Sequence, residues 1–318
     1  MSALLAEEFS QLGHLVTVVT QTSENGGEEF SFPVIRRPSI RKLFSLAKWC
    51  DLFWHNNLSM RTAWPALCLR KPVVITHQGS YCRQPAGFDL MLRLKHTVVN
   101  RMTSVAISQF IASCFRARSI VIPNPYDARV FTVRSPAPER TNDLVFLGRL
   151  VSEKGLDILL ESLGPLRLNG FRPRLTVVGS GPELSAMQKL AQELGIQDQV
   201  SFIGPKRGAE LAEILNRHQI LVVPSRYDEP FGVVALEGIA CGCVVVGSSG
   251  GGLPEAIGPC GISFSNGDAA GLAKALETLL SQPNERARFA ANAPTHLAQF
   301  HPAVIANRYL DLFRSKLQ

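Results

Sequence analysis

Two glutamates eight positions apart enclose an apolar segment in the C-terminal third of the chain. The segment EPFGVVALE begins at Glu229 and ends at Glu237. Its pattern predicts a loop that holds Glu229 and a helix that begins near Gly232 and carries Glu237. The first turn of a helix offers backbone N–H groups, and the small Gly232 lets a ligand approach them. Glu237 is suited to accept both hydrogen bonds of a vicinal diol such as that of a ribose. The alternative, two solvated acids, suits Glu229 better than Glu237.

Two cationic residues follow an apolar run in FLGRLVSEKGLDILLESL. The predicted strand ends at Leu147, Gly148 and Arg149 open a loop, and Lys154 and Gly155 precede a helix. Two cations beside a helix N-terminus form a site for an anion, since the helix dipole adds to their charge. Two solvated basic residues are the alternative. The strand–loop–helix context favours a phosphate site.

Two further glycine-rich turns follow predicted strands. VVGSGPE, at 177–183, places Gly179 after a strand, and SSGGGLPEAIG, at 248–258, has three consecutive glycines. A single GxG fits a tight turn as well as a nucleotide contact. Three such turns together favour a cradle for a diphosphate and a sugar.

His77 comes at the end of another apolar run, PVVITH. A single histidine is more often structural. Its place at the carboxyl end of a predicted strand favours a functional position, because ligands of parallel sheets bind at that edge.

Short apolar runs alternate with helical patterns along the chain, which predicts parallel sheets covered by helices. The stretch at 131–143 is rich in Pro, Ser and charge and predicts an interdomain linker. We therefore expect an α/β protein with two doubly wound Rossmann-like domains, at 1–130 and 144–298, facing a cleft. That cleft is the expected active site. A helix at 299–318 closes the chain.

Composition excludes several classes of protein. Hydrophobic residues make up 46% of the 318 positions and charged residues 19%, as in a globular protein. No apolar run approaches the roughly 20 residues of a membrane span, and the N-terminus lacks the basic region of a signal peptide. Seven cysteines without a CxxC argue against a disulfide framework or a zinc ribbon. We expect buried, reduced thiols in a cytoplasmic protein.

The positive charge lies in the first half of the chain. Residues 36–134 carry 16 Lys and Arg against three Asp, whereas residues 135–318 carry 17 basic and 18 acidic residues. Such an excess attracts anionic partners such as a membrane surface, a phosphorylated acceptor or nucleic acid. A merely solvated surface is the alternative.

Together these stretches resemble the retaining GT-B glycosyltransferases of the large nucleotide-sugar-dependent family numbered four, the glycosyl transferases group 1. The segments that carry the resemblance are GRLVSEKG, VVGSGPE, VSFIGP, VPSRYDEPFGVVALE and GGLPE, with ITHQG, AISQF and IPNPYDARVF upstream. The family's hallmark is two Glu with seven residues between them, which Glu229 and Glu237 match.

The resemblance implies roles for these residues. Glu229 contacts the donor sugar, Glu237 the ribose, and His77 lies near the sugar, while Arg149 and Lys154 hold the diphosphate and stabilise the leaving group. The remaining donor-binding positions are Gly148, Gly179, Phe231, Gly232 and Val233. Glu229, His77, Arg149 and Lys154 form the implied catalytic set. The C-terminal helix is expected to cross back toward the first domain.

The implied reaction is transfer of a hexose, with retention, from a UDP- or GDP-sugar to a glycan or a lipid-linked glycan, as in cell-envelope polysaccharide synthesis. The sugar nucleotide is a co-substrate, and no cofactor is expected. The chain has no Asp-x-Asp, so we expect metal-independent activity and no metal site. We expect no nucleic-acid partner. The basic first domain more plausibly meets a phosphorylated lipid acceptor or the inner membrane face.

Two features depart from the family pattern. The usual first strand and its Gly-rich loop are missing before the helix SALLAEEFSQLGH, so we expect an N-terminally truncated chain. Pro125 replaces the usual glycine after Asn124 and fixes φ near −65°, so Asn124 is carried over only weakly. Two alternatives stay open: an inactive nucleotide-sugar-binding remnant, and another GT-B enzyme such as a phosphorylase or a sugar-nucleotide epimerase.

Overall fold

The computed structural model describes residues 2–23, 29–57, 59–79, 102–115, 119–134 and 140–318. The chain divides into two compact units. The first unit comprises Met1–Pro125 and Phe300–Gln318, and the second comprises Tyr126–Gln299. The boundary therefore precedes the predicted linker at 131–143, of which positions 135–139 lie outside the described residues.

The second unit is built on six parallel strands. Their bounds are β7 Asn142–Leu147, β8 Leu175–Val178, β9 Val200–Phe202, β10 His218–Val223, β11 Val244–Ser248 and β12 Gly261–Phe264. The helices are α5 Leu156–Leu168, α6 Leu184–Glu193, α7 Gly208–Asn216, α8 Val233–Ala240, α9 Leu253–Ile257, α10 Ala269–Ser281, α11 Pro283–Ala291 and α12 Ala293–Ala298. The strand order β12-β11-β10-β7-β8-β9 is that of a doubly wound sheet. Buried aliphatic residues of the strands, such as Leu144 and Val222, form its core with α5 and α10.

The start of the predicted linker is part of this second unit. The Asn216 side-chain amide donates to the Thr132 carbonyl at 3.0 Å and its Oδ1 accepts from the Arg134 N–H at 3.0 Å. Arg140 donates to the carbonyls of Leu215, His218 and Cys241. Residues on both sides of 135–139 are therefore tied to the ends of α7 and α8.

The first unit contains a four-stranded parallel sheet in the sequential order β3-β4-β5-β6 and a separate parallel pair, β1-β2. The strands are β1 Val18–Thr20, β2 Val34–Arg36, β3 Phe53–Asn56, β4 Val73–His77, β5 Thr103–Ala106 and β6 Ile120–Val121, and the helices are α1 Ser2–Gln11, α2 Ile40–Trp49, α3 Met60–Cys68, α4 Gln109–Ser113 and α13 Pro302–Leu317. Helices cover both faces of the sheet. Residues of α1 and α13, among them Phe9 and Tyr309, pack with Val74 and Val105, whereas Ala47 of α2 and Ala63 of α3 pack with Ile75.

The C-terminal helix α13 is an integral part of this first unit. Tyr309 is 2% exposed, its hydroxyl lies 2.9 Å from Thr76 Oγ1 of β4, and its ring contacts Phe9 and Trp54. Arg308 also donates to the Val121 carbonyl at 2.7 Å. The helix is therefore held by the strands of the first unit although it follows the second unit in sequence.

A cavity of about 810 Å³ is bordered by both β1 and β3. Neither strand is hydrogen-bonded to the other, since β1 pairs with β2 and β3 pairs with β4. Asn56 of β3 lines this cavity, and its Oδ1 is buried without a hydrogen-bond partner among the described residues. The absent strand expected from the family pattern stays a prediction.

The cysteines are only partly as expected. Among the described ones, Cys241, Cys243 and Cys260 are buried free thiols, whereas Cys68 is exposed and Cys50 and Cys114 are intermediate. Cys82 lies outside the described residues. No helix in the described ranges is long and apolar enough to cross a membrane.

Candidate active site

The candidate site lies at the carboxyl ends of β7 and β10. These neighbouring strands occupy the centre of the second unit's sheet, because the chain runs from β7 outward to β9 and returns on the other side of β7 at β10. Loops that leave two such strands diverge toward opposite faces and open a crevice, which is where doubly wound sheets bind ligands. The residues after Leu147 and those after Val223 therefore both lie at this crevice.

An ion pair joins these two loops. Lys154 ends the short 3₁₀ turn Ser152–Lys154 that follows β7, and its Nζ lies 2.6 Å from Oε1 of Glu229 in the loop after β10. Glu229 is 6% exposed and the Lys154 side chain is 21% exposed. The structure thus brings together two predicted site residues that are 75 positions apart in sequence.

Two hydroxyl groups complete the surroundings of the Glu229 carboxylate. Ser225 Oγ donates to Oε1 at 2.6 Å, and the Tyr227 hydroxyl donates to Oε2 at 2.5 Å. The Tyr227 oxygen also accepts from Lys154 Nζ at 3.0 Å. Each carboxylate oxygen therefore holds at least one short, charge-assisted bond, and the orientation of the carboxylate is fixed.

Tyr227 and Arg149 belong to the same electrostatic environment. Burial and then the hydrogen bond to Glu229 raise the pKa of the Tyr227 phenol, while the positive charge of Arg149 lowers it. Arg149 is exposed, and within the described ranges it has no salt bridge. Its guanidinium is therefore available to an anion that enters the crevice.

Glu237 lies in α8, the helix that follows Glu229. Gly232, with φ of +105°, precedes the first residue of the helix, Val233. Phe231 is buried, and Glu237 is half-buried with a pKa that burial raises to about 7. Near neutral pH this carboxyl group exists in both protonation states, so it can donate or accept a hydrogen bond.

Close backbone packing places the loops of this site against one another. A Cβ on Gly179, the residue after β8, would lie 1.8 Å from the carbonyl oxygen of Gly148, the residue after β7. A Cβ on Gly155 would lie 2.0 Å from the carbonyl oxygen of Pro224, the residue after β10. The observed packing explains Gly179 as a close approach between neighbouring loops.

The third glycine-rich turn also reaches Glu229. The Gly252 N–H donates to the Glu229 carbonyl at 2.7 Å, and Glu229 forms an isolated parallel bridge with Gly251. Asn266 Nδ2 donates to the Tyr227 carbonyl at 3.4 Å. The loop after β10 is therefore held by Gly251 and Gly252, which follow β11, and by Asn266, which follows β12. Groups of three His, Cys, Asp or Glu that could hold a metal ion are absent from the part of the chain that the structure describes.

The family model for glycosyl transferases group 1 matches residues 129–296, which include every site residue of the second unit. The chain belongs to the glycosyl transferases group 1 family. The match confirms the family expected from the motifs.

Curated relatives of the family agree with this assignment. The chain is 37% identical over 218 residues to the D-inositol 3-phosphate glycosyltransferase of Stackebrandtia nassauensis, covering 62% of this chain and 49% of the relative. It is 40% identical over 191 residues to the enzyme of the same name from Frankia alni, covering 56% of this chain and 47% of that relative. The chain spans about half the length of the curated relatives it matches.

Solved structures confirm the GT-B fold. Anabaena HepE, in complex with UDP and glucose, superposes with a TM-score of 0.81 at 20% identity, covering 98% of this chain and 95% of that one. Sucrose-phosphate synthase from Thermosynechococcus elongatus superposes with a TM-score of 0.78 at 22% identity, covering 98% of this chain and 91% of that one. At these identities the likeness shows the fold alone.

His77, the site residue expected in the first unit of this group 1 protein, is fully buried at the end of β4. Its Nε2 lies 2.7 Å from Ser104 Oγ, and its ring centroid lies 4.0 Å from that of Phe115. These contacts explain His77 as a core residue. Its expected place near the sugar stays a prediction.

A reciprocal amide pair connects two motifs of the first unit. Asn124 Nδ2 donates to Gln78 Oε1 at 2.6 Å, and Gln78 Nε2 donates to Asn124 Oδ1 at 3.0 Å. Asn124 is 7% exposed. The segments ITHQG and IPNP therefore meet, and Asn124 has a structural partner that sequence reasoning did not identify.

Sequence reasoning also missed Ser225 and Tyr227. A signal was present, because both hydroxyl-bearing residues lie within four positions of Glu229. Ser225, Tyr227 and Glu229 are spaced by two and follow a strand that ends at Val223. Hydroxyl-bearing residues two and four positions before a predicted catalytic acid were therefore candidates for its hydrogen-bond donors.

We predict that Gly155→Ala separates the loops after β7 and β10. The residue has φ of +66°, and the added Cβ would lie 2.0 Å from a backbone oxygen, so we expect the free energy of unfolding to fall by about 1–3 kcal/mol. Gly164→Ala in α5 is the matched control, because its Cβ would have no neighbour within 4 Å and alanine favours a helix by up to about 1 kcal/mol. Urea unfolding measures both. Equal stability of the two variants would contradict the packing described for Gly155.

We predict that Glu237 makes the empty protein less stable as pH rises. Burial raises its folded pKa from 4.5 to about 7, so between these values the folded state binds the extra proton and its stabilisation is lost with rising pH. From pH 5 to pH 8 the wild type should lose about 2–3 kcal/mol relative to Glu237→Gln. Urea unfolding at several pH values measures this difference.

The control for this comparison is Glu161→Gln, which removes a carboxyl group at an exposed position. Histidines that titrate over the same range are common to all three proteins, so they cancel in the difference. Parallel stability curves for wild type and Glu237→Gln would show that Glu237 titrates normally.

Proposed function

We propose that this protein transfers a sugar from a nucleotide-diphosphate-sugar donor, such as a UDP- or GDP-sugar, to an acceptor. The observation that carries the proposal is the contact of Lys154 with Glu229 at the point where β7 and β10 diverge. A cation for a phosphate and an acid for hydroxyl groups lie side by side there. The family match and the names of the curated relatives support the same activity.

In this proposal Arg149 and Lys154 bind the donor diphosphate. Glycosyl transfer expels a diphosphate-bearing leaving group while positive charge develops on the sugar. Fixed cations and helix N-termini at the diphosphate stabilise that separation of charge more strongly in the transition state than in the ground state. Arg149 is exposed, and Lys154 lies in the loop after β7, separated by Gly155 from Leu156, the first residue of α5. These places suit both residues to this role.

Glu229 and Glu237 are proposed to hold the two sugars of the donor. Glu229 accepts from hydroxyl groups of the transferred sugar, and Glu237 accepts from the ribose. The backbone of Phe231, Gly232 and Val233, at the start of α8, approaches the sugar and its phosphate. Gly148 and Gly179 are further proposed donor-binding positions, in two loops that pack closely against each other. His77 enters the proposal only through its position at the carboxyl end of β4.

Retention of configuration and independence from metal ions are further parts of the proposal. Retention is implied by the resemblance to the retaining family, whose two Glu with seven residues between them Glu229 and Glu237 match. Metal independence is supported by the two cations, Arg149 and Lys154, which can supply the positive charge that a metal provides in other transferases.

The proposed acceptor is a glycan or a lipid-linked glycan with an anionic group, at the inner face of a cytoplasmic membrane. The excess of basic residues at 36–134 supports an anionic acceptor or a peripheral contact with anionic lipid. Curated relatives are named for D-inositol 3-phosphate, which is also a phosphorylated acceptor. Synthesis of cell-envelope polysaccharide is the setting that this combination favours.

The test of the proposed function is transfer or hydrolysis of UDP-glucose and GDP-mannose by the purified chain. We expect Lys154→Ala to lower turnover by about 100-fold or more, since it removes a charge that stabilises the leaving group. Lys189→Ala, in which an exposed lysine of α6 is removed, should leave turnover unchanged. The anomeric configuration of the product, measured by NMR, tests retention.

Two outcomes would contradict this proposal. Equal turnover by Lys154→Ala and wild type would remove Lys154 from the site. A folded wild type that binds a nucleotide sugar without any transfer or hydrolysis would favour the binding remnant over the enzyme.

We predict that chelation leaves turnover undiminished. Because Arg149 and Lys154 provide the positive charge at the diphosphate in this proposal, turnover in an excess of EDTA should equal turnover without EDTA. Loss of activity that Mn²⁺ or Mg²⁺ restores would refute metal independence while leaving the transfer activity intact.

A further inference from the structure

Tyr227 is the residue of the candidate site that contacts both members of its ion pair. Its hydroxyl donates to Glu229 Oε2 at 2.5 Å and accepts from Lys154 Nζ at 3.0 Å. Lys154 Nζ also lies 4.9 Å from the centroid of the Tyr227 ring. The hydroxyl and the ring therefore engage the two charges in different ways.

The two members of the ion pair have different tasks once a donor is bound. If the proposed function holds, Lys154 must turn toward the diphosphate and Glu229 toward the sugar. Oε1 of Glu229 then loses its bond to Lys154, and a carboxylate with few partners can rotate. The hydroxyls of Ser225 and Tyr227 do not carry charge that a diphosphate attracts, so they can remain on Glu229 in both states.

The geometry of these two hydroxyls fixes the plane of the carboxylate. Ser225 donates to one oxygen and Tyr227 to the other, and a carboxylate has about four acceptor sites. Two sites remain for hydroxyl groups of a sugar after Lys154 leaves. The direction of these two acceptor sites is set by the hydroxyl groups of Ser225 and Tyr227, which remain hydrogen-bonded to Glu229.

We propose that Tyr227 is a positioning residue, which keeps Glu229 oriented toward the transferred sugar of the donor after Lys154 has moved to the diphosphate. This inference rests on the proposed function. It assigns to Tyr227 a selective effect on ligands that carry a sugar beyond the diphosphate, because only such ligands use Glu229.

The experiment compares binding of UDP and UDP-glucose to wild type and to Tyr227→Phe by calorimetry. The variant keeps the ring and its contact with Lys154 and removes only the hydroxyl. We expect the affinity for UDP-glucose to fall about tenfold, as for loss of one hydrogen bond to a charged group, and the affinity for UDP to change less than about threefold.

Ser225→Ala provides an independent second variant, because it removes the other hydroxyl from the same carboxylate. We expect the same selective loss for UDP-glucose. Lys154→Ala should instead weaken both ligands, since both contain the diphosphate.

Tyr309→Phe is the matched control. It removes a buried hydroxyl with a hydrogen bond of 2.9 Å to Thr76 in the first unit, and we expect no change in the ratio of the two affinities. Thermal unfolding of all variants shows whether any loss of binding reflects loss of the folded state.

Equal weakening of UDP and UDP-glucose in Tyr227→Phe would overturn the inference, because Tyr227 would then act on Lys154 or on the fold. Unchanged affinities in both hydroxyl variants would overturn it too, and would leave the proposed function standing. A folded wild type that binds neither UDP nor UDP-glucose would instead overturn the assignment of the donor, and the role of Tyr227 with it.

Discussion

The contact between Lys154 and Glu229 is the interaction on which the arrangement of the site depends. Glu229 is almost completely buried, and a buried carboxylate without a partner would be strongly unfavourable. Lys154 provides the opposite charge, while Ser225 and Tyr227 provide hydrogen bonds. Since Lys154 follows β7 and the other three residues follow β10, this requirement holds the two loops together. The crevice between diverging loops thus keeps a defined shape.

Close packing of backbone is the second condition for this arrangement. Lys154 can reach Glu229 because Gly155, its neighbour, lies directly against the carbonyl of Pro224. The Arg226 N–H donates to the Glu153 carbonyl at 2.9 Å, and the Arg226 guanidinium pairs with Asp157. The same two loops are therefore joined by a backbone bond, a surface ion pair and the buried pair. Of these, the buried pair is the one to which we assign donor binding in the proposed function.

Much of this site could be predicted from sequence because it depends on strand ends. The apolar runs that end at Leu147 and Val223 mark buried strands, and parallel strands bring their carboxyl ends to one edge. Lys154 and Glu229 could therefore be placed at one site without knowledge of their contact. The hydrogen-bond partners of Glu229 were harder to predict, since the composition of a loop does not show which hydroxyl group donates to which carboxylate oxygen. Val34–Arg36 and Gly261–Phe264 were missed as strands because each holds only two apolar residues, in runs interrupted by proline, charge or small polar residues.

The boundary between the units shows another limit of sequence patterns. A stretch rich in Pro, Ser and charge predicts a linker at 131–143, yet the first part of that stretch is bonded to Asn216. A buried asparagine at the end of a helix carries no local sign that it will bind a segment more than 80 residues away. His77 illustrates the same point, since its position after a strand predicts a ligand site while its contacts with Ser104 and Phe115 explain it as core. Position along a strand is readable from sequence, whereas the partner across the fold is not.

Lys154 and Glu229 compensate each other's charge within the protein, and this has a consequence for the proposed donor binding. Lys154 is neutralised by Glu229, and the raised pKa of Glu237 keeps part of that carboxyl group protonated at neutral pH. In the proposed reaction a nucleotide sugar replaces the contact between Lys154 and Glu229, while Glu237 offers an acceptor oxygen to the ribose in either protonation state. Part of the intrinsic binding energy is then used to rearrange charges that are already compensated. In the proposed mechanism, binding energy used in this way does not tighten the complex, but it delivers the ammonium group of Lys154 to the diphosphate, where it assists departure of the leaving group.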